Sequence, residues 1–298
     1  MKRSSTKTLT ISQKNSITGW LFLIPAVILI IVFIFYPMIN AFLISLKTGT
    51  GENLSWAGFS NYARLLKDNN LITALKNTVT FMLWQLPIML TLALVFAAVL
   101  NQKDLKFKGL FQTLLFIPCT MALVSYSIIF KLLFMTNGLI NKMLVNAGIL
   151  ETGFNFLGDP TGARFVLIFA LIWRWTGYNM IFYLSGLSNI DETIYEAAQI
   201  DGASAFQRFT KITIPMLKPI ILLTIIMSTN GNLQLFDECY NLTRGGPGIS
   251  TMSISQYIYK VAFQSVPNFG YASTIGFVLM ILIAALVLLQ LKVGDKRE

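Results

Sequence analysis

The chain has 298 residues, 55% of them hydrophobic and 12% charged, with 23 Lys and Arg against 13 Asp and Glu and no histidine. Soluble domains carry about 25% charged residues, so an ordinary soluble fold is excluded at the outset; without histidine the commonest general base and metal ligand is also missing. A net charge of +10 would suit nucleic acid in a soluble protein, but here the basic residues cluster at the ends of apolar runs, the pattern of a membrane protein with positively charged cytoplasmic loops.

In chain order, a basic tail (Lys2, Arg3, Lys7, Lys14) precedes an apolar run over roughly 18–46 that contains Pro25 and Pro37. It is too long for a cleaved signal peptide and lacks a small-residue cleavage site, so it reads as a retained helix. Further uncharged or nearly uncharged runs follow at roughly 77–101, 109–135, 164–187, 217–236 and 271–291. Each is long enough to cross a hydrocarbon core of about 30 Å, which takes about 20 residues. Helices are expected because lipid offers backbone amides no partners. The expected fold is therefore an all-α integral membrane protein of about six transmembrane helices. Cys119 and Cys239 lie in separate segments with no metal-ligand spacing, so no metal site and no disulfide framework is expected.

Basic residues set the expected orientation. With the N-terminus inside, the cytoplasmic segments hold thirteen of them (Lys2, Arg3, Lys7, Lys14, Lys103, Lys106, Lys108, Arg208, Lys211, Lys218, Lys292, Lys296, Arg297), and the outer loops six (Lys47, Arg64, Lys67, Lys142, Arg244, Lys260). Both termini are thus expected in the cytoplasm. No linker long enough to separate domains is present, so residues 1–298 are expected to form a single transmembrane unit.

The longest cytoplasmic connection, about 191–219, is also the most acidic. Thr193 with Glu196, and Ser204 with Gln207, have capping-box spacing. Asp201-Gly202 between them is a turn dipeptide, and Pro215 and Pro219 interrupt or open the helix that follows. The expected product is a helix-turn-helix knob able to enter a groove on another protein. Here the residues carry a resemblance. Glu196-Ala197-Ala198, Gly202 after three residues, and Ile212-Thr213-Ile214-Pro215 after nine more resemble the EAA motif of ABC importer permeases, departing only where Ile214 replaces a leucine. Leu23-Ile24-Pro25, Tyr36-Pro37, Asn61-Tyr62, Asn77-Thr78 and Thr243-Arg244-Gly245-Gly246-Pro247 with Thr251 and Tyr257 extend the likeness to carbohydrate-uptake permeases related to the maltose transporter. The Gly-Gly-Pro element is similar to that of the larger-type subunit, without its extracytoplasmic insertion.

That resemblance implies a bacterial-type plasma membrane location and a permease working with a second permease, two ATPase subunits and an extracellular or periplasmic sugar-binding protein. ATP and Mg would sit on the ATPase, since the chain has no G-x-x-x-x-G-K loop to cradle phosphates. No cofactor and no enzymatic activity are expected of the chain itself, and lipid rather than nucleic acid is its expected surroundings. Glu196, Ala197, Ala198, Asp201, Gly202 and Pro215 would couple it to the ATPase.

A sugar pathway needs polar groups among apolar walls. The fourth run offers Trp173, Arg174, Trp175, Gly177, Tyr178 and Asn179, and the fifth Ser228, Thr229, Asn230, Gly231, Asn232 and Gln234. From these, Trp173, Arg174, Gly177, Ser228, Asn230, Gly231 and Asn232 are the candidate pathway residues; by resemblance, Ser228, Asn232 and Gly177 fall at sugar-contact positions. The same residue types also glue membrane helices together. Arg174 needs an anionic solute or a structural partner, with Asp237 and Glu238 the nearest carboxylates by topology. The competing class is an ion-coupled secondary sugar transporter, disfavoured because the spans are almost free of carboxylates.

Overall fold

A computed structural model of the chain describes residues 10–50, 53–102, 105–264 and 266–294. Lys2, Arg3, Lys7, Lys103, Lys296 and Arg297, counted above for orientation, lie outside the described residues.

Helix α1 (Ile11–Ile30) passes through a π-helical turn at Ile31–Phe35 into α2 (Tyr36–Ser45), so Pro25 and Pro37 do not break the first span, Thr18–Ser45. An antiparallel hairpin follows, β1 (Lys47–Thr50) on β2 (Asn53–Trp56); the all-helical expectation missed this short element. Short α3 (Ser60–Leu65) leads to α4 (Asn69–Leu100), the second span. It begins eight residues before the apolar run because Asp68 caps it, accepting from the N–H groups of Asn70 and Leu71 at 3.0 and 3.2 Å. An N-cap carboxylate satisfies amides that the first turn leaves free.

The third apolar run is not one helix. It divides into α5 (Lys108–Thr120) and α6 (Leu123–Phe134), separated by extended backbone at Met121 and Ala122, and short α7 (Leu139–Asn146) follows. The break comes just after Pro118, whose ring and missing N–H weaken the turn around it. The fourth span, α8 (Pro160–Leu187), starts at Asp159, which accepts from Gly162 N–H at 2.7 Å, with Pro160 in the first helical position.

The expected knob is α9 (Glu192–Ile200), a turn at Asp201-Gly202, and α10 (Ala205–Arg208), continued by a π-helical turn and α11 (Ile214–Met216). Helix α12 (Lys218–Leu233) turns 69° from the α10–α11 arm. Helix α13 (Ile254–Tyr259) and the last span α14 (Phe269–Gly294) complete the chain. Five described helical stretches can cross a membrane, or six with the bent pair taken as one.

Helices α4 and α8 form the centre and run parallel. Phe81 packs with Val166 and Ala170 near their starts, and Ala93 and Ala97 pack with Met180 and Tyr183 near their ends. Alanines here allow close backbone approach, which is what drives helix association in lipid. A third cluster joins α13 and α14 to the start of α4 through Ala74, Tyr257 and Tyr271.

Candidate functional site: a coupling hairpin and a polar cavity

The hairpin is built by its caps. Asp191 starts α9 by accepting from Thr193 N–H at 3.0 Å, so the expected Thr193–Glu196 capping box is displaced by a cap two residues earlier. The Ser204–Gln207 box forms in both directions, at 2.8 and 3.3 Å. Gly202 sits at φ +79°, a left-handed conformation that costs an L-residue about 1–2 kcal/mol. The arms are tied by Arg208 Nη1 donating to Gln199 Oε1 at 2.9 Å and by Tyr195 and Thr213 hydroxyls 3.0 Å apart. Glu196, Ala197, Asp201, Gly202 and Pro215 are exposed and Ala198 is half-buried. Beside them Ile200 and Phe206 are 87% and 73% exposed, giving the hairpin an apolar tip that motif reading did not single out.

Half-way along α4 and α8, a cavity of about 300 Å³ opens against the end of α12. Ser228, Gly231 and Asn232 line it from α12, and Trp175, Tyr178 and Asn179 from α8. Helix α4 supplies Gln85 and Met89, and the segment after α12 supplies Asp237 and Glu238. Nothing approaches the position a Gly231 side chain would take within 4 Å. Asn232 donates to Ser228 O at 2.9 Å, leaving its Oδ1 without a partner among the described residues. Glu238 is buried and accepts from Trp175 Nε1 at 3.4 Å.

A family of transport proteins, the binding-protein-dependent transport system inner membrane component, matches residues 59–297. The chain belongs to that family. Over 297 residues it is 46% identical to the lactose transport system permease protein LacF of Rhizobium radiobacter, covering 99% of this chain and 100% of the relative. It is 33% identical to the arabinooligosaccharides transport system permease protein AraP of Bacillus subtilis (strain 168), over 98% and 93% of the two chains. Its fold is similar to a chain in the crystal structure of a bacterial ABC transporter involved in the import of the acidic polysaccharide alginate, with a TM-score of 0.83, 25% identity and coverage of 95% and 96%. The chain is a multi-pass inner-membrane permease subunit of an ABC importer that depends on a binding protein, not an enzyme.

Within this permease, four of the expected pathway residues lie off the cavity wall. Trp173 stacks on Tyr126, with ring centroids 6.2 Å apart and planes within 6°. Arg174 is buried and turned to the break between α5 and α6, where Nη2 donates to Met121 O at 3.0 Å and Cys119 O at 3.4 Å. Its guanidinium also lies 5.0 Å from the Tyr126 ring centre. Interrupted backbone at membrane depth needs such donors. Gly177 is the point where α8 meets the α5 backbone: a Cβ there would collide with Leu115 O. Asn230 is exposed and accepts from Gln234 Nε2 at 2.6 Å.

Sequence reading missed Gln85 and Met89. The available signal was Gln85 itself, the one amide between Asn77 and Asn101 in a mainly apolar run that also holds Pro87. Other motif residues turn out to be clamps at the end away from the hairpin. Asn61 Nδ2 donates to Ser45 O and Lys47 O at 2.9 and 2.8 Å, and Asn77 Nδ2 to Ile249 O and Met252 O at 2.8 and 3.1 Å. Thr251 Oγ1 donates to Gly246 O at 2.8 Å, closing the Gly-Gly-Pro turn.

Proposed function

We propose that this permease forms half of the translocation pathway for an uncharged di- or oligosaccharide, with a second permease supplying the other half. The observation that carries the proposal is the mid-span cavity where Ser228, Gly231 and Asn232 meet amides of α4 and α8 beside Trp175. Amides both donate to and accept from hydroxyls, and an indole face suits the apolar face of a sugar ring. The charge distribution supports an uncharged solute. Arg174 donates to the Met121 and Cys119 carbonyls through Nη2 alone, its Nε and Nη1 having no partner among the described residues, and it lies off the cavity wall, which Asp237 and Glu238 border. The lactose and arabinooligosaccharide relatives fit this class.

The whole chain, 1–298, acts as one permease unit facing the cytoplasm with both termini and with the hairpin 191–219. Two ATPase subunits, carrying ATP and Mg, would take the hairpin tip into a groove: Ile200 and Phe206 supply exposed apolar area, and Glu196 and the Gly202 turn set its orientation. Closure of the ATPase pair would then move the hairpin and switch the helices as rigid bodies.

The test is uptake by the complete importer carrying Asn232→Leu. Transport of lactose or an arabinooligosaccharide should fall at least tenfold while the complex and its binding-protein-stimulated ATP hydrolysis persist. Gly231→Phe, projecting into open space, should exclude larger sugars first. Unchanged rate and size profile in both variants would leave Asn232 and Gly231 as helix-packing residues and remove the pathway from this cavity.

A further inference from the structure

Gln85 lies near the middle of α4, is 2% exposed, and borders the cavity. Its Nε2 donates to Met89 Sδ at 3.1 Å, and its Oε1 has no hydrogen-bond partner among the described residues. A thioether is a weak acceptor, and the same sulfur lies 3.7 Å from Asn179 Nδ2. Asn232 lines the same cavity, and its Oδ1 is likewise without a partner among the described residues. Two residues that line one cavity from different helices therefore each carry a buried amide carbonyl without a partner among the described residues. Buried acceptors of this kind are rare and costly in native proteins, because folding strips their water without replacing it.

We infer that Gln85 is a specificity-determining residue of the pathway: with Asn232 it accepts hydrogen bonds from hydroxyl groups of a bound sugar. The inference rests on the pathway reading above and adds to it a third wall, α4. A group that only accepts hydrogen bonds selects for donors, so the cavity would read individual hydroxyls and reject a sugar lacking one of them. The bond to Met89, one turn along α4, holds the other end of the Gln85 amide, so the carbonyl has a defined position in which to read a hydroxyl.

The experiment uses the complete importer, copurified with its ATPase and binding-protein partners and reconstituted in vesicles. Radiolabelled lactose, arabinotriose and an alginate trisaccharide serve as probes, followed by the monodeoxy derivatives of whichever is taken up. Wild type should take up at least one derivative about tenfold less efficiently than the parent sugar, in kcat/KM, the scale of one unmade buried hydrogen bond. Gln85→Leu should slow the parent about tenfold and erase the discrimination at one hydroxyl, with stimulated ATP hydrolysis retained. Gln85→Asn, which keeps the amide on a shorter arm, should restore part of it and serves as the variant to read if Gln85→Leu does not assemble. If both leave every deoxy ratio unchanged while Asn232→Leu alters one, the Gln85 inference is overturned and the pathway stands. If no variant alters any ratio, the pathway reading falls and the inference with it. Failure of wild type to take up any probe overturns the assignment of these three solutes, and the inference with it.

Discussion

Asp68 is the most heavily used side chain at the end of the molecule away from the hairpin, and replacing it by alanine should be the most damaging single surface-end substitution. Its Oδ1 caps α4 through Asn70 and Leu71 N–H, and its Oδ2 accepts from the hydroxyls of Tyr257 and Tyr271 at 2.7 and 2.6 Å. One carboxylate thus joins α4, α13 and α14, while Arg64 sits 4.0 Å over the Tyr271 ring. Losing the cap costs about 1 kcal/mol. Two largely buried tyrosine hydroxyls left without an acceptor cost about 1–3 kcal/mol each, so Asp68→Ala should lose about 3–7 kcal/mol in total. At about 2–4 °C per kcal/mol, the scaling of mid-sized domains, thermal unfolding of the purified complex should come at least 6 °C lower. Tyr271→Phe removes one bond without stranding a charge and should cost about 1–2 kcal/mol. The triple variant Asp68→Ala/Tyr257→Phe/Tyr271→Phe should be less damaged than the sum of its parts, since no hydroxyl is then stranded. A fall of less than 2 °C for Asp68→Ala, or strict additivity in the triple variant, would refute this account. A pH dependence follows too. Burial pushes the Asp68 carboxyl up, but the two tyrosine hydroxyls and two backbone N–H groups outweigh it and hold it below its ordinary 3.8. With the folded value depressed, the stabilisation is complete above the ordinary value and is lost as pH falls below it. The stability gap between wild type and Asp68→Asn should therefore narrow below about pH 4.

Arg174→Met removes the donor shared by Met121 O and Cys119 O; stranding two carbonyls costs about 2–6 kcal/mol, against about 2.5–3.5 kcal/mol recovered by not burying a charge. The net change in thermal stability should fall between a gain of about 1.5 and a loss of about 3.5 kcal/mol and be the same with and without sugar, and a loss seen only in sugar uptake would instead assign Arg174 to solute. Gly202→Val places a β-branched residue at φ +79°; the chain should still insert but copurify with markedly less ATPase, whereas Gly202→Asn, a residue that tolerates this conformation, should be close to wild type. Normal ATPase recovery with Gly202→Val would show that the turn geometry is irrelevant to coupling.

Much of this molecule was legible in its sequence. Four of the spans follow from apolar length, while the third lies at Leu123–Asn146 rather than over 109–135 and the fifth is a bent pair; the hairpin follows from Ser204, Gln207, Gly202 and the prolines, because caps, turns and lipid burial are set by neighbours within a few residues. The position of the α5–α6 break was not legible: Pro118 weakens that turn, but the extended backbone at Met121 and Ala122 depends on Arg174, 53 residues away, which donates to the Met121 carbonyl. Nor could sequence separate Trp173, which stacks on Tyr126, from Trp175, which lines the cavity two residues later. In a soluble helix the buried face shows as an apolar stripe, whereas a helix in lipid is apolar all round, so local pattern does not say which face meets protein, which meets lipid and which meets solute. That choice, and with it the meeting of Gln85 from α4 with Asn232 from α12, was made only when α4, α8 and α12 packed together.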